Sequence, residues 1–209
     1  MQHALFSTEP LCEGGVLLHG FALTEASKLF AHVTRMAAAS PFRHMITPGG
    51  FRMSIGITNC GKVGWISDRK GYRYAAIDPE TGKPWPAMPP LFSTLAERAA
   101  AAGGFPGFAS DACLINRYEP GARLTLHQDR NELDFSQPIV SVSLGLPATF
   151  LFGGDTRKER PRRYRLESGD VVVWGGPARL AFHGVAPLKE GISDLTGGSR
   201  INLTFRKAL

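Results

Sequence analysis

The sequence predicts a mainly β fold, a sandwich or barrel with two flanking helices. Three observations carry this. From Ala112 onward, "ACLINRY", "RLTLHQD" and "RINLTFR" alternate apolar and polar residues, the period of a half-buried strand. "PIVSVSLGL", "ATFLFGG" and "DVVVWGG" are β-branched or aromatic runs bounded by Gly, Pro or Asp. These segments recur at roughly 10–15 residue spacing with turns such as "EPGA" and "ESGD" between them, the signature of an all-β domain.

Taken in order, residues 24–39 read as a helix. Leu29, Phe30, Val33 and Met36 recur at helical spacing, Thr24 is placed to cap the start, and Pro41 stops it. Residues 41–90 are rich in Gly, Pro and aromatics and read as short strands and loops. A second helix, about Pro90–Ala102, carries Leu91, Leu95 and Ala99 on one face and ends at Gly103 and Gly104. The two helices are expected to buttress one outer face of the β core. With 209 residues, 43% of them hydrophobic, the chain can bury one full core. A single domain over 1–209 is expected, with a helical and lid portion at about 1–90 and the β core at about 111–209.

Charged residues are 20% of the chain, which excludes a disordered polymer. No apolar run approaches the roughly 18 residues of a membrane span, so no membrane partner is expected. "MQHALFSTEPLCEGG" lacks a basic start followed by an apolar stretch, so no secretory leader is expected. Cys12, Cys60 and Cys113 are odd in number and lack CxxC spacing, which argues against a disulfide framework or zinc ribbon. A reducing compartment, the cytoplasm, is expected. The net charge is +6, and "RKERPRRYR", Arg157 to Arg165, concentrates six basic residues with one Glu. Such a run is either a solvated hairpin loop or a contact for nucleic acid.

"RLTLHQD" contains the first chemical signal. In an extended segment His127 and Asp129 point to one side. His183, in "LAFHGV", is the best third partner, because it ends an apolar run. Two His and one carboxylate form the facial triad of non-haem Fe(II) oxygenases, which leaves positions open for a chelating cosubstrate and oxygen. His-x-Asp alone is weak, since it arises easily by chance.

"RINLTFR" supplies the second. Arg200, Asn202, Thr204 and Arg206 share one face, and Ile201, Leu203 and Phe205 the other. A guanidinium directed into a core is costly unless paired, and a dicarboxylate would pair it bidentately. The two arginines lie about 20 Å apart along an ideal strand, so both reach one small acid only by leaning or by strand twist. Asn116 and Tyr118 of "NRY" share a face and offer further polar contacts. An edge strand with solvated arginines is the plain alternative. The third signal is "GWISDRKGYRY", where Trp65, Tyr72 and Tyr74 interleave with Arg69, Lys70 and Arg73. Aromatics of this kind stack on bases while cations hold phosphates, or else they pack a loop against the barrel.

Together "NRY", "HQD", "FHG" and "RINLTFR" resemble the AlkB family of Fe(II)/2-oxoglutarate-dependent dioxygenases. "SPFRHMITPGGFRMS", "TNCGKVGW", "KPWPAMP", "DACLINRYEPGA", "IVSVSLGLPA" and "GDVVVWGG" fit the family pattern in order. The resemblance runs from about Pro41 to the C-terminus. It implies a double-stranded β-helix, or jelly-roll, barrel. It implies Fe(II) on His127, Asp129 and His183, and 2-oxoglutarate on Arg200, Asn202 and Arg206 with Asn116 and Tyr118 opposite. It implies oxidative dealkylation, with O2, of N-alkylated bases such as 1-methyladenine and 3-methylcytosine. Succinate, CO2 and formaldehyde are the other products, and the role is direct-reversal repair. The implied partner is alkylated DNA, preferably single-stranded, with RNA as a second nucleic acid; a monomer is expected. By the same resemblance Trp65 stacks on a flipped base with the His127 ring on its other face. Tyr72, Arg73 and Tyr74 belong to the lid that contacts the nucleic acid, and Arg157 approaches the substrate. The position two after the metal Asp is acidic in the family pattern and meets the base's exocyclic amine. Here it is Asn131, which keeps an acceptor, gains a donor and loses the charge, so base preference is expected to shift. No GxSxG, HExxH or P-loop is present. Two alternatives remain open: the same chemistry on a protein, lipid or small molecule, and a non-enzymatic nucleic-acid-binding module.

Overall fold

The computed structural model describes residues 6–209; the reading of the N-terminal stretch as no leader falls partly on residues 1–5, outside that range. Two antiparallel sheets face each other. The larger contains seven strands, in the order β1 (Ser7–Cys12), β2 (Gly15–His19), β11 (Val171–Trp174), β8 (Ile139–Gly145), β13 (Arg200–Arg206), β6 (Ala112–Tyr118) and β3 (Gly56–Gly61). The smaller has the order β10 (Arg162–Leu166), β9 (Ala148–Phe152), β12 (His183–Val185) and β7 (Leu124–His127). A separate hairpin, β4 (Gly64–Asp68) and β5 (Gly71–Ala75), stands at the barrel mouth. This is the expected jelly roll.

Side-chain alternation explains why the larger sheet sits between two layers. Ile201, Leu203 and Phe205 of β13 join Cys113 and Ile115 of β6, Val140 and Val142 of β8, and Val171 and Val173 of β11 in one core. The helices α1 (Ala26–Ala39) and α2 (Pro90–Ala102) complete it with Leu29, Val33 and Met36 and with Phe92, Leu95 and Ala99. The helices therefore do buttress one outer face. The opposite side chains enter the barrel, where Leu114, Tyr118, Val172 and Trp174 meet Phe150, Phe152 and Val185 of the smaller sheet.

Three local expectations change. Thr24 does not cap α1; it lies in a 3-10 turn, Leu23–Glu25, whose Leu23 carbonyl takes the Ala26 N–H, and no side-chain cap forms. Two strands, β1 and β2, occupy the start of what was expected to be a helical and lid portion; they extend the larger sheet through β11. β7 ends at His127, so Asp129 reaches the site from a loop rather than along the strand. The basic run becomes the β9–β10 connection and β10 itself, an edge strand with exposed Arg162, Arg163 and Arg165.

Candidate active site

The site forms where the inner faces of both sheets meet. His183 on β12 lies opposite His127 on β7, and β12 approaches β7 closely at Gly184. A Cβ at Gly184 would stand 2.6 Å from the Leu124 carbonyl oxygen, so only glycine fits after this histidine. Past His127, the Gln128 amide donates to the Leu180 carbonyl, which turns the loop and brings Asp129 inward.

His127, Asp129 and His183 offer ligand atoms that all lie within 4.8 Å of one another. Nδ1 of His127 is 2.9 Å from the Thr125 carbonyl, and Nδ1 of His183 is 3.0 Å from the Ala181 carbonyl. A carbonyl only accepts, so each Nδ1 carries a proton, which leaves Nε2 as the nitrogen that can offer a lone pair. Those lone pairs face Asp129, at 3.5 Å from Oδ1 for His127 and 3.8 Å from Oδ2 for His183. Burial draws the His183 pKa down to about 4, with the neighbouring His127 acting the same way, so the ring is neutral at pH 7. Burial would raise the Asp129 pKa, but the Arg206 guanidinium outweighs it and holds the carboxyl well below its usual range. Two imidazoles and a carboxylate suit a divalent transition metal, with no thiolate among them to favour a softer ion. Trp174 backs the His183 ring at 4.9 Å between centroids.

A cavity of about 240 Å³ opens beside this cluster. Its lining includes Asn116, Tyr118, Arg200, Asn202 and Arg206, together with His127, Asp129 and His183. The two arginines thus reach one cavity despite their spacing on β13. Arg200 is 1% exposed and lies over the Tyr118 ring at 5.0 Å. Its Nη2 donates to Ser143 Oγ at 3.0 Å, while Nε and Nη1 have no partner. A buried guanidinium with two unfilled donors is a vacancy for an anion. Arg206 donates from Nε and Nη2 to Asp129 Oδ2 at 3.0 and 2.7 Å. Asn202 is braced by Ser141, Val142 and Thr204. Asn116 Oδ1 is buried without a partner.

The rim is aromatic. Trp65 and Tyr72 of the β4–β5 hairpin stack at 5.5 Å with 14° between planes, and both line the cavity. Asn59 clamps the Trp65 backbone from both sides, and Trp65 Nε1 donates to Asn131 Oδ1 at 3.0 Å. Asn131 also lines the cavity. Three sequence-based candidates lie outside its lining. Arg73 forks onto Asp68 within its own hairpin, at 2.9 and 2.7 Å. Tyr74 donates its hydroxyl to Glu132 Oε1 at 2.6 Å. Arg157 stands exposed in the β9–β10 connection. Sequence reasoning missed Glu132 and Arg179, a buried pair whose Nη2–Oε2 distance is 3.0 Å. Neither belongs to a periodic segment, so only a lone Arg within the otherwise uncharged "GGPARLAFHG" could have signalled them.

Residues 14–206 match the family model for the 2OG-Fe(II) oxygenase superfamily. The alpha-ketoglutarate-dependent dioxygenase AlkB of Escherichia coli K12 is 57% identical over 200 residues, covering 96% of this chain and 93% of that protein. An AlkB homolog of Caulobacter vibrioides is 49% identical over 173 residues, covering 82% and 77%. The solved structure of OsALKBH1 superposes with a TM-score of 0.85 at 29% identity, covering 96% of this chain and all of that one. With a cavity that unites His127, Asp129 and His183 with a buried guanidinium holding unpartnered donors, and with relatives of this closeness, the chain belongs to the AlkB family and is a dioxygenase that uses Fe(II), 2-oxoglutarate and O2.

Proposed function

We propose that the protein oxidatively dealkylates N-alkylated bases, such as 1-methyladenine and 3-methylcytosine, in DNA and also in RNA, as direct-reversal repair. In this reading His127, Asp129 and His183 hold Fe(II). Arg200, Arg206, Asn202, Asn116 and Tyr118 hold 2-oxoglutarate. The observation that carries it is the pair of unfilled Arg200 donors in the same cavity as the triad, beneath the stacked Trp65 and Tyr72. A carboxylate there would take Nη1 through a charge-assisted hydrogen bond, while Nε, on the other edge of the guanidinium, serves a separate acceptor. When bound, Fe(II) and 2-oxoglutarate supply the oxidation by O2 that hydroxylates the N-methyl carbon; the product loses formaldehyde, and succinate and CO2 are released.

The protein's own part is positioning and shielding. Ala181 and Thr125 fix the imidazole tautomers, and Arg206 keeps Asp129 ionised. Trp65 and Tyr72 give a flipped base an aromatic wall. Extrusion costs a few kcal/mol, and less where methylation already blocks pairing, which favours single strands and lesions on the pairing edge.

Beyond the cavity, Arg157 begins a run of cations toward the strand backbone. Arg157, Lys158, Arg160, Arg162 and Arg163 form no ion pair among the described residues, whereas Arg165 pairs with Glu167. Arg162, Phe152, His183 and His127 follow one another across the smaller sheet. The basic edge therefore starts about 10 Å, two strand spacings, from His183. Among the described residues no helix is long and apolar enough to cross a membrane; a cytoplasmic monomer is the companion proposal.

The test supplies Fe(II), ascorbate, 2-oxoglutarate and an oligonucleotide bearing 1-methyladenine or 3-methylcytosine. Repaired base and equimolar formaldehyde are expected. Iron-bound protein that consumes 2-oxoglutarate but releases neither product would move the chemistry to a substrate that is not nucleic acid.

A further inference from the structure

We infer that Glu132 is a positioning residue that couples the β4–β5 lid to the cosubstrate arginine, through a carboxylate oxygen shared between Tyr74 and Arg206. The inference rests on the reading of Arg206 as a 2-oxoglutarate ligand. Glu132 and Arg179 are 5% and 3% exposed. Buried charges persist only where paired and hydrogen-bonded, and these two are bound on every side. Arg179 donates to Glu132 Oε2, to the Asp129 carbonyl and to the Gln137 carbonyl, each at 3.0 Å, and packs over Phe135 at 5.2 Å. That fixes Oε2 and the loop after the metal Asp.

Oε1 is the free arm. It accepts the Tyr74 hydroxyl at 2.6 Å and lies 3.4 Å from Arg206 Nε. The two donors compete for it. With Tyr74 in place, Oε1 holds Arg206 only weakly, and the guanidinium is available to the cosubstrate. With Tyr74 withdrawn, Oε1 gains capacity for Arg206 and draws it away. Coupling of this kind is reciprocal: an acid that engages Arg206 must strengthen the Tyr74 bond and so tighten the hairpin. A purely structural ion pair would make no such link.

The experiment follows amide hydrogen exchange of residues 64–75 in Mn(II)-loaded protein, with and without 2-oxoglutarate and without nucleic acid. In the natural protein, 2-oxoglutarate is expected to slow exchange on the order of tenfold, the size of one charge-assisted hydrogen bond. Tyr74→Phe should abolish that slowing and weaken 2-oxoglutarate binding by a similar factor in calorimetry. Should Tyr74→Phe fail to fold, Glu132→Gln decides, since it keeps an acceptor for Tyr74 and removes the charge that draws Arg206; the slowing should again be lost. A folded variant that keeps the full slowing overturns the inference. Unchanged exchange in the natural protein despite measurable 2-oxoglutarate binding overturns it too. Absence of 2-oxoglutarate binding instead overturns the assignment of Arg206, and the coupling with it.

Discussion

Replacing Arg200 by Met should make the metal-free protein more stable and its cosubstrate binding much weaker. The two effects have opposite signs because they come from different atoms. Arg200 is buried, and burial works against its charge. In the ligand-free fold it has one side-chain hydrogen bond, to Ser143, and the face of Tyr118. Those are worth about 1 kcal/mol each. Desolvating the ion costs several kcal/mol, and an unbranched thioether fills a similar space without that penalty. A net gain of about 2 kcal/mol follows, and it should raise Tm by about 4–8 °C for a domain of this size. Binding loses the two donors left open for the anion. Each charge-assisted hydrogen bond is worth about 1.5–3 kcal/mol, so the cost is about 4 kcal/mol. That is on the order of a thousandfold in affinity. Urea unfolding of the metal-free protein reads the first quantity, and calorimetry of 2-oxoglutarate with Mn(II) reads the second. A variant that is destabilised by more than about 1 kcal/mol and binds 2-oxoglutarate normally would show that the guanidinium serves the fold alone.

Stability without metal should fall between pH 6.5 and 4. His183 titrates near 4 when folded and near 6.5 when unfolded, so the unfolded chain binds the extra proton in that window; the loss is about 3 kcal/mol at full extent. A urea midpoint that holds level from pH 7 to 4.5, in the natural protein, would contradict it. Alanine at Arg157, Lys158 and Arg160 should lower the slope of log affinity against log salt for a single strand by about 2; an unchanged slope would place the phosphates elsewhere. Asn131→Asp should favour 1-methyladenine over 1-methylguanine by about tenfold, one hydrogen bond's worth. The reason is that Trp65 fills Asn131 Oδ1 and the Tyr72 carbonyl takes one N–H of its amide at 3.5 Å, which leaves the other N–H for a base carbonyl, whereas Asp would present a second acceptor to an exocyclic amine. Competition between the two lesions in one oligonucleotide pool would measure the ratio, and no change would remove Asn131 from base selection.

What the sequence made legible is what repeats. The alternation of "RINLTFR" and "ACLINRY" placed Arg200, Asn202, Arg206, Asn116 and Tyr118 on one face, because strand geometry admits only two. Pro90 and the paired glycines bounded α2 for equally local reasons. Asp129 was harder, since the turn that delivers it depends on Gln128 meeting Leu180, 52 residues away. β1 was hidden because five of its six residues are exposed and only Leu11 is buried, so its pattern carries no hydrophobic alternation. The Glu132–Arg179 pair was invisible for a deeper reason: charged residues read as surface until tertiary structure closes over them.

The charges now assembled bear on how the site fills. Three buried guanidiniums, on Arg179, Arg200 and Arg206, face two buried carboxylates, on Asp129 and Glu132, while the imidazole of His183 is neutral. These five buried ions thus sum to one net positive charge. Fe(II) alone would raise it to three, and 2-oxoglutarate alone would turn it to minus one. Together the two add nothing, so each should bind more tightly in the presence of the other, and the low-dielectric surroundings magnify that preference. In the proposed reading the arginines do more than recognise a dicarboxylate: Arg206 keeps Asp129 ionised, and Arg200 keeps two donors without a protein partner.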